Sequence, residues 1–195
     1  LGAMLLVGRP AGEKAALPEG CIIEGAEQIG GAIALVDVNS RPVTEADFRG
    51  GPAGLYFGFT HCPDVCPTTM YALAEALAAP GGHDIQPVLI SLDPERDAPE
   101  LLAAYIRTEG FPLGLQGLTG SLAQVETAAS AFRVVRQKAP IQGAPADVYT
   151  IDHSSFLYVM DGEWRTRAVV ASQGRTPQEI AACIASGLEG TGPRP

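Results

Sequence analysis

The amino-acid sequence predicts one α/β domain, a mixed β-sheet flanked by helices and preceded by an N-terminal β-hairpin. Two short apolar runs, each followed by a helical pattern, read as strand–helix units. Two later runs joined by Asp161-Gly162 and followed by a capped helix read as a closing antiparallel hairpin and helix. With 195 residues, 46% apolar and 18% charged, the chain can bury one ordinary core and is too short for two comfortable ones.

The first 20 residues carry Gly, Pro and Ala without a sustained period and read as a flexible arm; the domain is expected over 21–190, with a short tail over 191–195. Ile33 to Val38, the turn residues Asn39-Ser40-Arg41-Pro42, and then Val43 form the hairpin signal. Gly54 to Thr60 (GLYFGFT) is short, apolar and aromatic, as a central buried strand requires. A helix follows, with Pro67 expected at its first position, Met70, Leu73, Ala74 and Leu77 at helical spacing, and Pro80-Gly81-Gly82 as the stop. Pro87 to Leu92 (PVLISL) is the second buried strand. Asp97 with Glu100 predicts a helix cap ahead of Leu101, Leu102, Tyr105 and Ile106, and Ser121 with Gln124 predicts another capping box ahead of a helix reaching Phe132.

Residues 136 to 150 show no period and read as a long excursion, of the kind that is often functional. Ser155 to Met160 (SFLYVM) and Trp164 to Val170 (WRTRAVV) are the hairpin strands. Thr176, Pro177 and Glu179 open a last helix carrying Ile180, Cys183, Ile184 and Leu188. The order β-α-β-α-(α)-β-β-α gives a sheet covered on both faces, the thioredoxin-like arrangement.

Thirteen basic against 22 acidic side chains leave a net charge of −9, which repels a phosphate backbone and argues against nucleic acid as a partner. Arg outnumbers Lys 11 to 2 in an Ala-, Gly- and Pro-rich chain, a composition that points to a GC-rich bacterial source. No run approaches the ~20 apolar residues of a membrane-crossing helix. Leu1 to Met4 reads as a truncation point or expression scar, behind which a signal or anchor is expected to have been lost.

Of the four cysteines, only Cys62 and Cys66 lie close in sequence, and one such pair reads as chemistry rather than as a disulfide framework. They sit in Gly58-Phe59-Thr60-His61-Cys62-Pro63-Asp64-Val65-Cys66-Pro67, at the carboxyl end of a central strand and the start of a helix, where α/β sheets present reactive groups. Cys66 precedes a proline and is expected at the helix N-cap or just before it, where free N–H groups and the helix dipole favour a thiolate.

Three segments, GFTHCPDVCP, SLDPERDAPE at 91–100 and IDHSSFLYVMD at 151–161, in this order, resemble the signatures of the Sco/SenC family of thioredoxin-fold copper proteins. The resemblance spans roughly residues 30 to 188. It implies copper, as Cu(I) or Cu(II), held by Cys62, Cys66 and His153, and delivery to the binuclear copper centre of cytochrome c oxidase. It further implies the copper-bearing oxidase subunit as partner, an upstream copper donor, and a periplasmic, membrane-anchored monomer. The residues support His153 independently: it ends the excursion just before a strand, in a turn where thioredoxins usually carry a proline and residues 149 to 155 have none. Two thiolates and one imidazole form a soft, low-coordination set that suits copper, whereas structural zinc would want a fourth protein ligand.

The same two thiols serve equally as the redox dithiol of a thiol-disulfide oxidoreductase, the alternative reading. A peroxidase of the same fold is disfavoured by the Thr60-His61-Cys62 spacing. His61 is expected to support the loop rather than bind metal, and His83 to be a solvated loop residue. Asp93 and Asp97 read as structural, and Asp64 and Asp152 as neighbours that tune the ligands. Met70, Met160 and Cys183 read as core. Pairing of Cys21 with Cys183 is left open, because nothing in the sequence positions them.

Overall fold

Ala53–Gly58 and Gln86–Ser91 are apolar on both sides of the chain, a pattern stable only where both faces of a sheet are covered. In the computed structural model, which describes residues 17–79, 83–145 and 148–189, these runs form the central parallel pair. In chain order the strands are β1 (Cys21–Ile22), β2 (Ala34–Asp37), β3 (Pro42–Thr44), β4 (Ala53–Gly58), β5 (Gln86–Ser91), β6 (Gln116–Thr119), β7 (Arg136–Pro140), β8 (Tyr149–His153), β9 (Phe156–Met160) and β10 (Thr166–Ala171). The helices are α1 (Val65–Ala78), α2 (Pro99–Tyr105), α3 (Leu122–Ala131) and α4 (Pro177–Leu188).

Eight strands form one mixed sheet in the order β1-β10-β9-β4-β5-β6-β2-β3, and β7 and β8 pair separately. β4 runs parallel to β5 and antiparallel to β9, with Tyr56 opposite Leu89 on one side and Leu157 on the other. Alternation along β4 sends Tyr56 and Gly58 towards α1, where Gly58 lies against the Cys66 sulfur. It sends Phe57 to the opposite face, against Phe132 at the end of α3 and Tyr158 of β9. α2 and α4 share the face of α1, through the close approaches Gly117 to Leu102 and Gly187 to Ala168. The predicted two-sided, thioredoxin-like sheet is therefore observed, as is the hairpin β2–β3, whose turn Asp37 organises by accepting the N–H groups of Asn39 and Arg41.

The capping boxes at Ser121–Gln124 and Thr176–Glu179 form as predicted. Five expectations need correction. Cys66 is the second residue of α1, whose N-cap is Asp64, and not at or before the cap. α1 begins at Val65, so Pro67 is its third residue rather than its first; the first N–H groups of a helix have no intrahelical acceptor, and a proline there forfeits no bond. Asp97 does not cap α2, whose N-cap is Ala98; its carboxylate is fully buried and turned to the cysteine loop. The excursion over 136–150 is not irregular, because β7 and β8 pair across it, Arg136 opposite His153 and Pro140 opposite Tyr149. The β9–β10 connection is longer than a two-residue turn, since Asp161 gathers the N–H groups of Glu163 and Arg165 around it.

Cys183 is buried in the core and is disulfide-bonded to Cys21, tying β1 to α4. Met70 and Met160 are core residues, and His83 is a partly exposed loop residue. The helix stop at 80–82, most of the N-terminal arm and the tail at 191–195 lie outside the described residues. Among the described residues no helix is long and apolar enough to cross a membrane.

The disulfide joins residues 162 apart, so opening it restores a large loop's freedom to the unfolded chain. By that loop-entropy account the staple contributes about 5 kcal/mol. Denaturant melts of the double variant Cys21→Ala, Cys183→Ala should show a loss on that order relative to the oxidised parent.

Candidate metal centre

The chain leaves β4 at Gly58 and enters α1 at Val65, which holds Cys62 and Cys66 where the sheet ends and the helix opens. Both cysteines are free thiols, Cys62 half-buried and Cys66 buried. The carbonyl of Phe59 accepts the Cys62 N–H and closes the turn. The Cys62 sulfur in turn accepts the Cys66 N–H at 3.3 Å, so it caps one of the helix's unpaired amides. Gly58 is required here: a Cβ would lie 3.0 Å from the Cys66 sulfur and 2.9 Å from the Tyr56 ring.

The helix therefore favours the anion at Cys62, whereas the sequence pointed to Cys66. The Cys62 thiol is held below the ordinary cysteine range, first by a hydrogen bond from Cys66, then by His153 and by the N–H groups of Cys66 and Asp64, with desolvation opposing them. Cys66 is pushed above that range, first because the Cys62 sulfur accepts its proton, then by burial and by the Cys62 charge. The pair shares one proton, as close acidic groups do. The buried Tyr56 hydroxyl donates to the Cys66 sulfur at 3.9 Å and stays protonated, its pKa raised first by desolvation and then by Cys66.

His153 ends β8, and only Ser154 and Ser155 separate it from Phe156, the first residue of β9. Its Nδ1 lies 2.9 Å from the carbonyl oxygen of Ser154. A carbonyl only accepts, so Nδ1 carries a proton, and Nε2 is the ring nitrogen turned towards the sulfurs. That Nε2 lies 3.6 Å from the Cys66 sulfur. The rings of Phe59 and Tyr56 stand edge-on to the imidazole, at 5.8 and 6.2 Å between centroids, and limit its tilt. The two sulfurs and the imidazole nitrogen all lie within 4.8 Å of one another. One soft ion can sit among three such donors, and a dithiol in the same place can exchange disulfides.

A cleft of about 290 Å³ opens beside the centre, lined by Cys62, His153, Asp64, Asp152, Val65 and Gln173 among others. His61 points elsewhere: its Nδ1 lies 3.0 Å from Thr60 Oγ1 and 3.7 Å from Asp97. Asp97, buried beneath the loop, accepts the Thr60 N–H, the Thr60 hydroxyl and the Ser91 hydroxyl. Asp93 accepts the Tyr149 hydroxyl at 2.8 Å and is ion-paired with Arg96. The Tyr149 hydroxyl, its pKa pushed up to about 12 by desolvation and then by Asp93, remains a donor. The sequence signals structural roles for Asp93 and Asp97 but carries no sign of Tyr149, which lies in a half-exposed segment without periodicity.

Two thiols at a helix start and an imidazole delivered by the turn before an adjacent antiparallel strand define a thioredoxin-fold protein with a compact thiol–imidazole centre. The sequence profile of the SCO1/SenC family matches residues 23–189, and the chain belongs to that family. It is 35% identical over 165 residues to Protein sco1 of Schizosaccharomyces pombe, covering 83% of this chain and 62% of that protein. Among solved structures it is similar to Arabidopsis thaliana ScoI with copper bound, at TM-score 0.75 and 32% identity over 83% of this chain and 98% of that one. It is also similar to Bradyrhizobium japonicum ScoI with copper bound, at TM-score 0.69 and 37% identity over 80% and 98%. The chain spans about half the length of the curated relatives it matches.

The opposed thiol shifts carry a test. In the metal-free reduced protein, iodoacetamide should label Cys62 well before Cys66, with a pH midpoint below the ~8.5 of a free cysteine. Cys66→Ala removes the hydrogen bond that stabilises the Cys62 thiolate, so the midpoint should move up. Peptide mapping across a pH series reads both results.

Proposed function

We propose that this chain is a copper metallochaperone: reduced Cys62 and Cys66 with His153 take up one copper ion as cargo and deliver it to the binuclear copper centre of cytochrome c oxidase. The observation that carries the reading is the convergence of three soft donors within 4.8 Å. Cu(I) accepts two thiolates and an imidazole, and these residues offer no fourth ligand of the kind a closed zinc site uses. The half-buried Cys62 beside an open cleft suits transfer, because an incoming sulfur ligand can reach the ion from that side. Copper bound in the Arabidopsis and Bradyrhizobium relatives supports copper as the ion.

The acceptor is the copper-bearing oxidase subunit, supplied through this chain by an upstream copper donor. A periplasmic location accords with the Cys21–Cys183 disulfide, since such bonds persist in oxidising compartments. All three ligands come from one chain, and a monomer suffices.

A second reading is favoured by the unequal thiols, a half-exposed Cys62 of lowered pKa and a buried Cys66 of raised pKa. In a thiol-disulfide oxidoreductase, the Cys62 thiolate attacks a partner disulfide and releases one partner thiolate. Cys66 then loses its proton and attacks the mixed disulfide, leaving a Cys62–Cys66 bond and a reduced partner.

Titration of the reduced protein with Cu(I) against a chromophoric chelator should give one tight site. Cys66→Ala should abolish it, and His153→Ala should weaken it at least about tenfold, or roughly 1.4 kcal/mol. Tight one-to-one binding that survives Cys66→Ala would refute the chaperone reading; in the oxidoreductase reading metal-free His153→Ala should leave disulfide exchange largely intact, and a severe loss of exchange there would count against it.

A further inference from the structure

The thiol loop and the hairpin that carries His153 meet the same short segment, the β5–α2 connection from Ser91 to Asp97. At one end, Asp97 accepts the Thr60 N–H at 3.0 Å and the Thr60 hydroxyl at 2.6 Å, two residues before Cys62. Ser91 donates to the same carboxylate at 2.6 Å and accepts the Asp93 N–H at 3.0 Å, while the Asp93 carbonyl accepts the Arg96 and Asp97 N–H groups. These bonds draw the segment into a closed knot. At its other end, Asp93 accepts the Tyr149 hydroxyl, Arg96 donates to the Tyr149 carbonyl at 2.9 Å, and the Arg96 guanidinium stacks 3.8 Å from the centre of the Tyr149 ring.

Further contacts bind the partner strand to the same segment: Arg136 donates to the Leu92 carbonyl and Lys138 pairs with Glu95. Tyr149 opens β8 and His153 closes it, with Arg136 opposite His153 across the hairpin. β7 and β8 pair only with each other and are not strands of the main sheet. Contacts outside that pair therefore fix where β8 lies, and at its first residue these are the bonds and ring stacking of Tyr149 with Asp93 and Arg96. None of Asp93, Arg96 and Tyr149 belongs to the thiol–imidazole cluster.

We propose that the segment Ser91–Asp97 is a positioning brace: Asp97 fixes the thiol loop, Asp93 and Arg96 fix Tyr149, and together they set where the His153 imidazole stands relative to the two sulfurs. The proposal rests on the reading above that these three residues bind copper. Outer groups that orient a ligand commonly matter by 10–100-fold in metal affinity. Loss of the Tyr149 hydroxyl lets the start of β8 shift, and the imidazole with it.

The test is a double-mutant cycle on the full chain, with Cu(I) alone as probe in chelator competition. Tyr149→Phe keeps the ring and its stacking and removes only the bond to Asp93. It should lower Cu(I) affinity about tenfold, and should cost nothing further in a His153→Ala background, because the residue acts through the imidazole. Asp161→Ala, which unties the β9–β10 turn at the end of β9 opposite His153, should lower the Tm and leave copper affinity unchanged. Unchanged affinity in Tyr149→Phe, an equal loss with and without His153, or an equal loss in Asp161→Ala would each overturn the brace. If His153→Ala alone leaves affinity at the wild-type value, the copper-ligand reading itself has failed, a result separate from the other three.

Discussion

Two hydrogen bonds at the opening of α1 set the chemistry of this molecule: the Cys62 sulfur accepts first from the Cys66 thiol and then from the Cys66 N–H. The first N–H groups of a helix have no partner within the helix, and here a thiolate takes one of them. The thiol-to-sulfur bond first, with this amide beside it, makes the two thiols unequal. Cys62 becomes the anion at the edge of a cleft, and Cys66, buried against Tyr56 and Gly58, retains the shared proton. A cation arriving at the centre would displace that proton and be held by both sulfurs, so the same asymmetry that suits disulfide exchange also suits metal uptake.

The third donor comes from a residue 87 positions away in the chain, and its delivery is a matter of topology. β9 lies antiparallel to β4, so the start of β9 comes beside the end of β4, where the thiols emerge. Any residue just before β9 is brought to the cysteine loop. Ser154 then decides how the imidazole is used, because its carbonyl takes the Nδ1 proton and leaves Nε2 facing the sulfurs. The backbone places the ring and a single carbonyl selects which nitrogen faces the sulfurs.

Much of this was legible in the sequence. The buried strands β4 and β5, the capping boxes of α3 and α4 and the closing hairpin carry strong local signals, and the cysteine spacing marks the helix start. The hairpin β7–β8 was not legible, since its strands are short and largely half-exposed and their residues lack alternation. Asp97 was misread for a related reason: an acidic residue three positions before Glu100 is a cap signal whenever it stays at the surface. Burial under the thiol loop, with three donors waiting there, outweighs the cap and is a tertiary fact that local spacing does not encode. Cys21 and Cys183 had no local signal at all, for their pairing depends on β1 joining the sheet beside β10.

The account stands or falls on whether the imidazole and both sulfurs share one ion. X-ray absorption at the copper edge of the reduced, copper-loaded protein reads the first coordination shell directly. A shell of two sulfurs and one imidazole nitrogen, with the imidazole scattering lost in His153→Ala, is the predicted result. A shell of sulfurs alone, or an imidazole contribution that persists without His153, would contradict it.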